Sequence, residues 1–139
     1  MNKAEFLKQT PLFAGCSDEE IATVLATARE RRFDAGDTII RDGHEGASGF
    51  YLLLEGGAEV RKGDNVLASF GPGDYFGEMA LLLEDTPRTA DVVATAASAC
   101  LAITRWDLRA MISNNPDVGV RMMAELAKRL RDTDQSLSE

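Results

Sequence analysis

Hydrophobic positions divide the chain into three regimes. Glu5 to Leu12 reads as a short helix that Pro11 brings to an end. Ser17 and Glu20 have the spacing of a capping box. Ile21, Val24, Leu25 and Ala28 follow at helical intervals and predict a helix to about Glu30. From Arg31 to about Thr104 the texture becomes short runs rich in Val, Ile, Leu, Phe and Tyr. Thr38-Ile39-Ile40, Phe50-Tyr51-Leu52-Leu53-Leu54, Ala58-Glu59-Val60, Val66-Leu67-Ala68, Val92-Val93-Ala94 and Cys100-Leu101-Ala102-Ile103 are separated by Gly-, Asp- and Pro-rich breaks. Short strands at this spacing predict a sandwich or barrel rather than a parallel sheet. Lys62-Gly63-Asp64-Asn65 predicts a hairpin turn.

Trp106 to Ile112 is helical again, closed by Ser113-Asn114-Asn115-Pro116. A long amphipathic helix then starts near Asp117, its expected N-cap, and places Met122, Leu126, Leu130, Thr133 and Leu137 on one stripe. That stripe suits two arrangements equally. It packs on its own domain, or it pairs with a second copy through Met122, Leu126 and Leu130 in a two-fold homodimer.

The length of 139 residues suits one domain with a real core. The net charge of −8 opposes bulk attraction to nucleic acid or an anionic membrane. An anionic ligand must therefore be captured by local groups. No apolar run is long enough to span a bilayer, and the N-terminus lacks a secretion signal. Cys16 and Cys100 lack metal-ligand spacing and are expected as free buried thiols of a cytoplasmic protein. His44, the only histidine, lies in a turn-like stretch and reads as a solvated loop residue. One histidine cannot furnish the clustered ligands of a cupin-type metal enzyme, so neither metal nor enzymatic activity is expected.

The candidate chemistry lies in Gly73-Asp74-Tyr75-Phe76-Gly77-Glu78-Met79-Ala80-Leu81, followed by Pro87-Arg88-Thr89-Ala90. Backbone N–H groups at a helix start attract phosphate, and a guanidinium adds a forked charged partner. A carboxylate repels phosphate, so Glu78 must face a donor such as a ribose hydroxyl. A cyclic nucleotide has both ends. Each part also has a plain structural reading. Glu78 suits a helix N-terminus through the macrodipole, Arg88 can pair with Glu84 or Asp85, and Thr89 can be an exposed strand residue.

Taken in order, these parts resemble the phosphate-binding cassette of the cyclic nucleotide-binding domain family. Gly36, Ile39, Gly43, the pair Phe50-Tyr51 and Gly56 add to the match, which spans nearly the whole chain. Within the family the likeness is to the sensor domains of catabolite-activator-type (Crp/Fnr) regulators. The resemblance implies a β-roll over about 31–104 with N-terminal helices, and a C-terminal lid or dimer helix over about 117–135, all in one domain covering 1–139. It implies that Glu78 accepts from the ribose 2′-hydroxyl and that Gly77 admits the sugar. Ala80 and Thr89 would offer N–H groups to the cyclic phosphate, with Met79 in the same cassette, and Arg88 would pair with the exocyclic oxygens. Val60 and Leu67 would line the base, although Val60 equally suits strand core. Thr133 would meet the adenine amino group, or is simply a helix residue near a frayed end. Asp134 follows it where activator-type sensors place serine.

The expected function is a regulatory module that binds cAMP in preference to cGMP and rearranges its terminal helix. No cofactor is expected, and any effector domain lies outside this chain. A module of the same fold that binds proteins and not nucleotide is the alternative.

Overall fold

The computed structural model describes residues 2–40, 49–77 and 90–138. The order is α1 (Lys3–Gln9), α2 (Asp18–Thr27), β1 (Arg29–Phe33), β2 (Thr38–Ile40), β3 (Gly49–Glu55), β4 (Ala58–Lys62), β5 (Asn65–Phe70), β6 (Tyr75–Phe76), β7 (Asp91–Ala94), β8 (Ser98–Thr104), α3 (Arg105–Asn114) and α4 (Pro116–Ser138). The strands form two antiparallel sheets, β1-β8-β3-β6 and β2-β7-β4-β5. This is the expected mainly-β roll with flanking helices.

Local chemistry explains the element ends. The Asn2 side chain accepts from Glu5 N–H and starts α1 two residues before the expected Glu5. Thr10 precedes Pro11, is extended, and ends the helix at Gln9, short of the predicted Leu12. Both arms of the Ser17–Glu20 capping box are present. Helix α2 stops at Thr27 rather than Glu30 because Arg29 and Glu30 pair with Ala102 and Leu101 in β8. Pro116 occupies the first turn of α4, where its missing N–H costs nothing. Asp117 therefore lies inside that helix, and its N–H donates to Asn115 Oδ1 at 3.3 Å. The two-residue hairpin forms as expected, with Lys62 opposite Asn65 and Gly63 at φ +61°.

The central strands are apolar on both faces because both faces are covered. Phe50 and Leu52 of β3, with Leu101 and Ile103 of β8, join Phe13, Ile21, Leu108 and Met122 from the helical side. Tyr51, Leu53 and Cys100 point the other way and meet Ile40, Ala58 and Val92 of the second sheet. Gly56, between β3 and β4, has φ +90°, and a Cβ there would lie 2.5 Å from Ala97 O. Only glycine fits that corner.

The long helix divides its expected stripe between the domain interior and the surface. Met122 is 2% exposed inside the helical core, Val118 is buried beside it, and Leu126 packs against that core. Val120, Met123 and Leu130 are exposed. Of the expected dimer positions, Met122 belongs to the domain's own interior, because its spacing from Val118 follows the inward face.

Candidate functional site

The turn before the cassette is fixed by its own backbone and one carboxylate. Gly71 N–H donates to Asp74 Oδ2 at 2.8 Å, and Asp74 N–H donates to Gly71 O at 3.0 Å. Leu53 exchanges hydrogen bonds with this turn, accepting from Gly73 N–H at 2.8 Å and donating to Asp74 O at 2.9 Å. The Asp74 side chain thus shapes the turn. Strand β6 follows, and its Phe76 ring stacks between Tyr51, 5.6 Å between centroids, and Phe70 at 5.2 Å. Phe76 is buried, so this stack clamps the chain just before the predicted site.

Gly77 leaves that clamp with φ +88°, a conformation that a side chain disfavours. The chain returns at Ala90 and enters β7. There Val92 lies opposite Val60, and Asp91 opposite Arg61. The described residues on either side of 78–89 are thus the aromatic stack before Gly77 and the strand β7 that pairs with the strand of Val60. Glu78, Met79, Ala80, Arg88 and Thr89 lie within that segment, outside the described residues. His44 and Gly43 also lie outside them.

Val60 is half-buried on β4 and packs against the inter-sheet core. Its neighbour in register is Ala68 of β5, and the register slips between Val60 and Arg61. The slip leaves Leu67 without a direct partner and 59% exposed. So large an exposed leucine beside half-buried Val60 suits an apolar ligand face. Thr133 lies on α4, whose backbone is helical to Ser138, but its side chain is outside what is described.

Sequence reasoning placed Gly73-Asp74 in the turn but missed two structural supports of this site: the Phe70 stacking partner and the bond from Gly71 N–H to the Asp74 carboxylate. The Gly-Pro-Gly-Asp run was a usable signal for the second. The Phe70–Phe76 contact has no local signal, because a strand change separates the two residues.

Neither thiol is poised for nucleophilic chemistry. Burial pushes Cys100 up to about 11. Burial, with Glu20 nearby, also raises Cys16. Both are free and buried, as the sequence predicts. Among the described residues no group of three or more His, Cys, Asp or Glu could hold a metal ion. Among them, no helix is long and apolar enough to cross a membrane.

Comparison with known proteins agrees with this geometry. The model of the cyclic nucleotide-binding domain matches residues 30–115. The cyclic AMP receptor protein of Thermus thermophilus is 35% identical over 136 residues, covering 94% of this chain and 62% of that protein. The crystal structure of the Thermus thermophilus catabolite activator protein superimposes with a TM-score of 0.81 at 35% identity, over 93% of this chain and 62% of that one. A structure described as Sp-2Cl-cAMPS bound to PKAR CBD2 has a TM-score of 0.77 at 25% identity, over 95% of this chain and 89% of that one. The chain thus spans about three-fifths of the Thermus protein's length. By sequence and by fold, the chain belongs to the cyclic nucleotide-binding domain family and is a regulatory sensor domain of that family.

Proposed function

We propose that this domain senses cAMP in preference to cGMP. The observation that carries the reading is the built entry and exit of the 78–89 segment. A left-handed Gly77 leaves the aromatic clamp, and the return strand pairs with the strand of Val60. Names of relatives add support, since the Thermus protein is a cyclic AMP receptor. In this reading Arg88 pairs with the exocyclic phosphate oxygens, and the N–H groups of Ala80 and Thr89 contact the same phosphate. Met79 sits in the same cassette. Glu78 accepts from the ribose 2′-hydroxyl, and Gly77 lets the sugar approach. Val60 and Leu67 face the base, and Thr133 on α4 meets its amino group. The whole of 1–139 acts as one cytoplasmic, non-enzymatic domain.

Calorimetry with both nucleotides tests the reading. Saturable heat is expected with each, and tighter binding with cAMP. No heat with either would support the protein-interaction alternative. Glu78→Ala is expected to cost about 1–3 kcal/mol of nucleotide affinity, the scale of a hydrogen bond to a charged group. Full-strength binding in that variant would reduce Glu78 to a helix-start residue.

Ligand binding biases two arrangements of α4, closed over the base or displaced from it. The exposed positions Val120, Met123, Ala127 and Leu130 recur at intervals of three and four residues, the spacing of a coiled-coil seam. This outward stripe, separate from the buried Val118 and Met122, is the proposed contact with a second copy. Met123→Glu with Leu130→Glu is expected to leave a monomer in sedimentation experiments with the thermal transition little changed, since both side chains are exposed. A dimer that survives both charges would place the contact elsewhere.

A further inference from the structure

A cavity of about 140 Å³ lies where α2 and the turn before it meet the α3–α4 junction. Val24, Met111 and Val118 form an apolar wall, and Glu20, Asn114 and Asn115 a polar one. The exposed Thr23 stands at its mouth. This space belongs to the helical core, in which Cys16, Val24 and Val118 are buried. Val60 and Phe70 pack with the other core, between the sheets. The cavity is therefore separate from the cyclic-nucleotide site.

Its polar side is already organised. Glu20 Oε1 accepts from Ser17 N–H at 2.9 Å, and Oε2 accepts from the Asn115 side-chain amide. A carboxylate offers roughly four lone-pair directions, so two remain for a guest. The bonds from Ser17 hold the Glu20 carboxyl below the usual range, which keeps it ionised at neutral pH. The Arg121 guanidinium lies 3.8 Å from Cys16 Sγ. Glu20 and Asp117 act on the same thiol with the opposite sign. Neither Asp117 nor Arg121 lines the cavity; among the described residues that do, Glu20 alone carries a charge, and it is negative.

Size sets the rest of the chemistry. An apolar cavity of about 150 Å³ accepts benzene, so one ring or a short alkyl body fits here. The polar wall disfavours a wholly apolar guest, because it would strip donors and acceptors of water. We propose that this cavity is a second ligand site, for a small primary ammonium carried on a single-ring or short aliphatic body. The ammonium donates to Glu20, and the body packs on Val24, Met111 and Val118.

Titrations of the full chain with benzylammonium, benzyl alcohol and benzoate, followed by ¹H–¹⁵N and methyl NMR, test this. Benzylammonium is expected to shift the Asn115 side-chain amide and the Val24 and Val118 methyls saturably. Benzyl alcohol should bind about tenfold more weakly, the scale of losing one charge-assisted hydrogen bond, and benzoate should give no saturable shift. Glu20→Gln keeps a capping-box residue and should bring the ammonium and the alcohol to nearly equal affinity. Thr23→Phe, at the exposed mouth, should block binding without entering the core. Absent saturation with benzylammonium, equal binding of benzoate, or unchanged binding in Thr23→Phe would overturn the proposal. None of these readouts depends on cyclic-nucleotide binding.

Discussion

Arg88→Ala is expected to weaken cyclic-nucleotide binding by about 3–5 kcal/mol, more than two orders of magnitude in affinity. The reason is the charge balance of the whole molecule. At a net charge of −8 the protein's field repels a phosphate. Capture must therefore come from local donors, and Arg88 is the proposed permanent cation among them. Its loss leaves a desolvated monoanion facing only backbone dipoles. Arg88→Lys should recover part of the affinity, since lysine restores the charge but not the planar fork. Calorimetry reads both effects. Thermal melting supplies the control: cAMP should raise the wild-type transition and leave that of Arg88→Ala unmoved. An alanine variant with wild-type affinity would remove Arg88 from the site.

Phe50→Ala is expected to cost about 3–5 kcal/mol of stability, the range for truncating a fully buried phenylalanine. Phe50 is 0% exposed, and its ring centroid lies 5.4 Å from that of Tyr75. It sits on β3 between β8 and β6, so the cavity left behind opens under the centre of the first sheet. Neighbouring strands cannot close it without breaking register with β8. A fall of the melting temperature on the order of 10 °C follows for a domain of this size. A change of only a degree or two would mean that the helices collapse into the gap. The adjacent Tyr51 serves the other core, so damage at Phe50 should reach the helices before it reaches the aromatic clamp at Phe76.

The family was legible in sequence because the parts of its cassette are neighbours. The left-handed glycine, the carboxylate and the arginine fall within a dozen residues, and their types at that spacing carry the resemblance to the family. The start of α2 was legible for the same reason. The Ser17–Glu20 box needs only four residues to form both of its bonds. The hairpin at Gly63 needs only its own φ and the register beside it.

What neighbours do not decide was left to packing. The run Phe50 to Leu54 predicted a strand, yet an unbroken apolar run does not say which side chains enter which core. The long helix had one obvious stripe, and only the folded chain turned Met122 inward and left Met123 and Leu130 outside. The end of α2 was misjudged because pairing with β8, far along the chain, claims Arg29 and Glu30. The contact between Glu20 and Asn115 joins residues 95 positions apart. The sequence by itself determined the Ser17–Glu20 cap, the hairpin turn, the antiparallel β class and the ligand family, since each rests on groups close together along the backbone. The tertiary structure alone decided which faces are buried and which distant side chains share a cavity, because those depend on closing long loops whose ends only the complete core brings together.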